Sequence, residues 1–352
     1  MSSEPVPLDA VSEWLAAAVP QIPVAGGVSV QRLAGGHSNL TYRLVDAAGT
    51  SWVLRRPPTG TALSTAHDMA REWRFLTALA ATPVPVPAPV AYCADPGVIG
   101  AEFYLMTFVE GDVLDDAGSG HRLDPAVRRT AAFSLVDALA AVHAVDPDAV
   151  GLGDLRRRGG YVERQLRRWH RHVHAGSAAD LTAVDVGHAR LARWAAALPP
   201  SAQQVVHGDF RFGNVAVCPA GIVRAVFDWE LAALGDPLAD LGWLVASWGG
   251  DGPPPIVPGP DLAGGYPAAA ELVARYVARR GDEAGDLAQL GGYVAFARWR
   301  VACIQAGVHA RYAAGSMGAV EDETAARDRL TEMSVQAQAA LDALDAGVSP
   351  VL

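Results

Sequence analysis

After residue 110 the apolar residues of this chain recur at helical spacing almost to its end, and that regularity is broken once, over residues 204–228, by short β-branched runs. Before residue 110 the pattern is different. VSVQRL (28–33), LTYRLV (40–45) and SWVLRR (51–56) alternate with period two, the turn residues DAAGT separate the second from the third, and AEFYLMTFV (101–109) is a further apolar run. A small, mostly antiparallel sheet is expected. HDMAREWRFLTALA (67–80) puts Met69, Trp73, Leu76 and Leu79 on one helical stripe, so one main helix packs on that sheet. TPVPVPAPV (82–90) is expected as an extended linker, because each proline fixes its own φ and bars the residue before it from the α region. At 352 residues the chain exceeds one ordinary domain. The expected class is α+β: a sheet-bearing lobe over 1–109 and a larger, mainly helical lobe over 110–352, with helices near 124–146, 161–174, 181–198, 266–281, 287–313 and 320–345.

Composition removes several kinds of chemistry. All 28 basic residues are arginine; lysine is absent. Schiff-base catalysis, lysine-attached pyridoxal phosphate and the lysine-dependent phosphate loop are therefore excluded. A net charge of −10 argues against nucleic acid as a partner. The three cysteines, Cys93, Cys218 and Cys303, are far apart and in no metal-binding spacing, which suits a reducing, cytoplasmic setting. No signal peptide is expected at the acidic, polar N-terminus. No membrane span is expected either, since AAFSLVDALAAVHAV is interrupted by Asp137.

The chemistry is concentrated in VVHGDFRFGNVAVCPAGIVRAVFDWE, residues 205–230. VAV and IVRAVF flank CPAG, a hairpin signal, and hairpin strands lie roughly 5 Å apart. Asn214, entering the first strand, and Asp228, leaving the second, are thus expected at the same open end. Asp209 stands five residues before Asn214, in a tight HGD loop. Two hard oxygen donors beside a third carboxylate suit a magnesium ion that also holds substrate phosphates, with Asp209 free to orient a hydroxyl and take its proton.

The spacing D-x-x-x-x-N followed by a strand pair and a further Asp is that of the protein-kinase active site. HGDFRFGN with DWE resembles the aminoglycoside phosphotransferase and choline kinase superfamily more closely than the protein kinases, and the resemblance runs through LAGGHSNLTYRL, WVLRR, the helix with Glu72, FVEG and GDPLADLGWL. It implies a bilobal protein-kinase-like fold, ATP and Mg2+ as cofactors, Asp209 as catalytic base, and Asn214 and Asp228 as metal ligands. His207 would shape the catalytic loop, and the backbone near 107–110 would contact the nucleotide base.

In AGGHSN (34–39), the backbone at Gly36, the Ser38 hydroxyl and Asn39 would cover nucleotide phosphates; otherwise the segment is a plain hairpin turn. The phosphate-binding lysine of this fold has no counterpart here. Arg55 or Arg56 is expected to replace it: alternation places Val53 and Arg55 on one face, and if that apolar face is the inner one Arg55 points into the cleft, with Glu72 as the helix carboxylate that would pair with it. The alternative is a solvated surface pair. Asp236 and Asp240 are read as structural, with Asp240 at a helix start, and His143 as a packed or helix-capping histidine.

Residues 155–174 carry seven arginines and one glutamate. This suits an anion-binding acceptor site, with Arg164, Arg168 and Trp169 as candidate substrate contacts, or else an exposed helix paired to acidic neighbours. VLRRPPTG, HDMAREWRFL and GGYVERQLRRW resemble the branch of the superfamily related to the kinase-like domain fused to acyl-CoA dehydrogenases. That branch implies phosphorylation of a hydroxyl on a small anionic metabolite such as a hydroxyacyl-CoA. The alternatives are an aminoglycoside O-phosphotransferase, a nucleotide-binding pseudokinase and, last, a metal-dependent hydrolase built on His207, Asp209 and Asp228. Oligomeric state and the choice between ATP and GTP are not encoded in any of these signals.

Overall fold

A computed structural model of the chain describes residues 6–23, 27–33, 39–58, 68–176, 179–200, 203–250, 252–314 and 323–346. Two compact units result, one of residues 1–111 with 224–232, the other of 112–223 with 233–352. Residues 224–232 are thus compact with the first unit although they follow much of the second in the chain.

The first unit is a five-stranded antiparallel sheet in the order β1-β2-β3-β5-β4, formed by β1 (Val28–Arg32), β2 (Leu40–Asp46), β3 (Ser51–Arg56), β4 (Pro89–Cys93) and β5 (Phe103–Thr107). β4 begins inside the stretch expected as a linker. It lies at the sheet edge, where a proline's missing N–H is tolerated. Period-two alternation sorts the faces. Leu44, Leu54, Phe103 and Leu105 pack with Val11 and Leu15 of α1 (Leu8–Ala18), whereas Val53, Tyr104 and Met106 pack with Met69 and Leu76 of α2 (Met69–Leu79). The helix α1 was not evident in the sequence pattern. Full burial of its Val11 and Leu15 stabilises by about 1.5–3 kcal/mol each. Asp68 caps α2, its carboxylate accepting from the Arg71 amide at 2.9 Å.

The second unit is mainly helical: α3 (Ala117–Gly120), α4 (Pro125–His143), α5 (Tyr161–His174), α6 (Thr182–Ala196), α7 (Pro237–Ala246), α8 (Ala269–Arg280), α9 (Leu290–Ala313) and α10 (Glu323–Ala346). α9 is buried along most of its length. Glycines let its neighbours approach closely: a Cβ on Gly242 of α7 would lie 2.7 Å from the Tyr293 carbonyl carbon, and one on Gly292 would lie 2.1 Å from the Trp194 ring. The strand-patterned interruption forms β6 (Gln204–Val206), β7 (Val215–Val217), β8 (Val223–Val226) and β9 (Ala233–Gly235). β6 and β9 pair antiparallel, Val205 opposite Leu234. The CPAG turn closes as expected, the Cys218 amide donating to Ile222 O at 3.0 Å and the Gly221 amide to Cys218 O at 2.8 Å. Along β8 the chain then passes into the first unit. Among the described residues no helix is long and apolar enough to cross a membrane.

Candidate active site

In the first unit one arginine organises the polar side chains. β3 directs Arg55 to the same face as Val53, opposite Tyr104 in register, and so toward α2. Its Nε lies 2.9 Å from Glu72 Oε1, its Nη2 donates to Asp228 Oδ1, and Glu230 Oε2 is 3.7 Å away. Asn39 Nδ2 ties the group together, 3.3 Å from Glu72 Oε2 and 3.2 Å from Glu230 Oε2. Sequence reasoning singled out Arg55, Glu72, Asp228 and Asn39, and here they meet. Glu230 was passed over, though it stands two residues after Asp228 in DWE. Tyr104 was passed over too.

Burial and charge oppose each other in this cluster. Glu72 is 1 % exposed, and burial pushes its carboxyl above the usual range, with Asp228 adding to the rise and Arg55 holding it back. Burial lowers the pKa of Arg55, but Glu72 and Asp228 outweigh it and hold the guanidinium above its ordinary value. Burial first, then Glu72, raises the Tyr104 phenol. Asp228 occupies the left-handed region at φ 63°, a conformation aspartate tolerates better than most residues. The Trp229 indole holds this bend, donating to Val226 O at 3.1 Å.

In the second unit the HGD loop is held from beneath. Asp240, buried in α7, accepts the His207 amide at 2.6 Å on Oδ2 and the Gly208 amide at 2.8 Å on Oδ1. Its Oδ2 is also 3.3 Å from His143 Nε2, and His143 Nδ1 is 2.7 Å from the Tyr276 hydroxyl. Burial works against the Asp240 carboxylate, but His143, His207 and the loop amides draw its pKa below the ordinary value. The helix-start role expected of Asp240 belongs to Asp236, which caps α7 by accepting the Leu238 amide at 3.1 Å, with Pro237 in the first helical position. Gly208 has φ 88°, open to glycine at little cost, and its carbonyl accepts from Arg300 Nη2 at 2.5 Å. Arg300, in the middle of α9 with its guanidinium 3.8 Å from the Trp243 ring centroid, carried no local sequence signal.

The loop presents two of the expected residues as a pair. The Asp209 amide donates to His207 Nδ1 at 3.2 Å, and Asn214 Nδ2 donates to Asp209 O at 2.7 Å and Asp209 Oδ2 at 2.8 Å. The amide nitrogen of Asn214 thus faces Asp209, and its carbonyl oxygen faces away. Asp209 Oδ1 is buried and takes no hydrogen bond; the Arg211 guanidinium is 3.5 Å from it.

Gly36 and Ser38 lie outside the described residues. On α5, Arg164 Nη1 donates to the carbonyls of Arg157, Arg158 and Gly159, so this guanidinium braces its own loop. Arg168 lies 5.9 Å from the Trp169 ring centroid. A cavity of about 290 Å³ opens at the N-terminal end of α5, with Tyr161, Glu163, Gln203 and Asp236 among its walls.

A five-stranded antiparallel unit built round a buried Arg–Glu pair, followed by a mainly helical unit bearing an Asp–Asn loop, defines the chain as a kinase-like phosphotransferase. It belongs to the phosphotransferase enzyme family, whose model matches residues 29–293. Its relatives include acyl-CoA dehydrogenase family member 11 of Gallus gallus, 36 % identical over 85 % of this chain, and family member 10 of Mus musculus, 33 % identical over 88 %. The chain covers 39 % of the first and 29 % of the second, so it corresponds to one part of each. A candidate aminoglycoside phosphotransferase of Ralstonia eutropha has the same fold, with TM-score 0.77 at 30 % identity over 97 % of this chain and 99 % of that one.

Proposed function

We propose that the chain transfers the γ-phosphoryl group of ATP to a hydroxyl of a small anionic metabolite of the hydroxyacyl-CoA type, with Asp209 as the catalytic base. One observation carries the assignment: Asn214 donates to one oxygen of the half-buried Asp209 carboxylate and fixes its orientation in the loop, with the Arg211 guanidinium 3.5 Å from the other. A carboxylate held in this way and partly open to solvent is placed to take the proton of an incoming hydroxyl. The acceptor's O–H bond breaks as its proton passes to the Asp209 carboxylate, while its oxygen bonds to the γ-phosphorus and the β–γ bridging oxygen leaves with ADP.

The remaining oxygens suit a hard divalent cation. Asn214 Oδ1 faces away from Asp209, and Arg55 takes only Oδ1 of Asp228. Asn214 and Asp228 would hold Mg2+, which supplies charge neutralisation on the phosphates. Arg55, whose Nε and Nη2 face Glu72 and Asp228, would offer its positive charge to phosphate oxygens, and Gly36, Ser38 and Asn39 would cover them. Support for an acyl-CoA acceptor comes from the relatives, which carry the matched region within longer chains named for acyl-CoA dehydrogenation. Arg168 and Trp169 would contact its phosphates and adenine ring. The enzyme would act in the cytoplasm.

One observation favours a second acceptor class. The cavity at the start of α5 carries two acids, Glu163 and Asp236, in its wall, which suits an aminoglycoside polycation better than an anion. The purified protein is to be incubated with ATP and, separately, hydroxyacyl-CoA thioesters and aminoglycosides, with phosphorylated product and ADP followed by mass spectrometry. Phosphorylated thioester from wild type, reduced about 10²–10⁴-fold in a folded Asp209→Asn variant, is the expected result. Aminoglycoside phosphorylation in its place would overturn the acceptor. Nucleotide binding without product would establish a pseudokinase.

A further inference from the structure

Away from these residues, two adjacent helices of the second unit bring a second set of metal-binding side chains together. His170 and His174 stand one helical turn apart near the C-terminal end of α5, so both imidazoles project from one face. Asp185, in the first turn of α6, meets them: its Oδ1 is 2.9 Å from His170 Nε2 and 2.8 Å from His174 Nε2. All three ligand atoms lie within 4.8 Å of one another. A further imidazole, His188 on α6, stacks on His170 with ring centroids 4.0 Å apart.

We infer that His170, His174 and Asp185 form a binding site for a zinc-like divalent transition metal that pins α5 to α6. The spacing carries the inference. Two ligands bonded tetrahedrally to one metal at ~2.0–2.1 Å are separated by about 3.3 Å. The observed Nε2–Oδ1 distances fall short of that by about half an ångström, which side-chain rotation supplies without moving either helix. Two imidazoles and one carboxylate are borderline ligands, suited to zinc, cobalt or nickel and unlike the all-oxygen set offered by Asn214 and Asp228. The side chains are 31 %, 41 % and 46 % exposed, so a metal enters from solvent and the fourth position is open to water or to His188.

On binding, Nε2 of each ring is the lone-pair donor and the ring proton resides on Nδ1. The bound metal ties down the helix that also carries Arg164, Arg168 and Trp169, and its role is structural. Without a metal, the same contacts are two imidazoles sharing one carboxylate oxygen by hydrogen bonds.

The test uses the full chain stripped with a chelator and dialysed against Zn2+ in a large excess of Mg2+, so that hard-cation sites are filled. One equivalent of zinc is expected, with affinity falling more than tenfold in each of His170→Ala and His174→Ala. Asp185→Asn, which leaves both rings in place, should also weaken binding, and Cys218→Ser should not. Co2+ should give visible ligand-field bands with no thiolate charge-transfer band. Zinc should raise the melting temperature of wild type but not of the double-histidine variant, whose metal-free melt checks its folding. Absence of saturable zinc binding, or equal zinc binding in the double variant, overturns the site.

Discussion

Replacing Arg55 by methionine tests whether the buried pair at the centre of the first unit is held by charge. The substitution keeps an apolar stem in contact with the sheet and removes the guanidinium from Glu72, whose side chain is 1 % exposed. Breaking a buried pair by deleting one partner costs about 3–5 kcal/mol, because the surviving charge is left in a medium that solvates it poorly. Asn39 still donates to Glu72, at 3.3 Å, so a cost near about 3 kcal/mol is expected. Arg55→Met/Glu72→Leu removes both charges and should recover most of that loss. The pH dependence has a definite sign. Without Arg55 the largest restraint on the upward push of burial and Asp228 is gone and only weaker ones such as the Tyr104 hydrogen bond remain, so the folded pKa of Glu72 rises further above its unfolded value. A carboxyl with a raised folded pKa binds its proton more tightly in the native state, so the penalty is absent below the unfolded pKa and grows as pH rises through the folded one. Hydrogen exchange of the amides of β3 and α2, read at about pH 5 and about pH 8, measures local stability in this unit alone. Equal losses in single and double variants, or a loss indifferent to pH, would refute the account.

The other expectations rest on single contacts. Asp240→Ala leaves the His207 and Gly208 amides without an acceptor inside the second unit, at about 1–3 kcal/mol each, and should lower its denaturation midpoint sharply. Because the Asp240 pKa is depressed, its contribution is present above the unfolded carboxylate pKa and fades as pH falls through the folded one; Asp240→Asn should abolish that acid limb. Gly242→Ala forces a Cβ to within 2.7 Å of the Tyr293 carbonyl carbon and should cost about 1–3 kcal/mol in urea titration. Gly250→Ala, with nothing within 4 Å, should be close to neutral in the same experiment.

Patterns of period two and 3.6 carried most of the fold, since they record which faces are buried. The alternation of SWVLRR put Val53 and Arg55 on one face, and the family resemblance named Glu72 as the partner that Arg55 meets. The same alternation puts Arg56 on the opposite face, where it is 2 % exposed with its Nη1 3.4 Å from Ile99 O. Burial of a charge on an apolar face depends on carbonyls supplied by a distant loop, and no local pattern records them. β4 was hidden because Pro85, Pro87 and Pro89 signal extended chain without signalling a ladder, and only its edge position reconciles proline with pairing. Asp236 was legible as the α7 cap from Pro237 after it, whereas Asp240 inside the helix binds a loop more than thirty residues earlier in the chain, a long-range fact.

The absence of lysine bears on how the first unit is assembled. A lysine at position 55 would present a single ammonium, a point charge able to satisfy Glu72 but with no second edge to offer. The guanidinium of Arg55 meets Glu72 through Nε and Asp228 through Nη2, so one cation joins α2 to the segment that follows β8. Other bonds reinforce that junction: Asn39 Nδ2 to Glu230, Arg71 Nη2 to Ala232 O, and the Val226 amide to Pro85 O at 2.7 Å. Together they account for residues 224–232 being compact with a sheet from which they are separated by more than a hundred residues of chain. Arginine at this position therefore has a structural role beside the phosphate contact proposed for it. By holding Asp228 it ties the stability of the sheet unit to the placement of a proposed metal ligand, through two nitrogens set apart on a rigid fork instead of the three hydrogens of a single ammonium nitrogen.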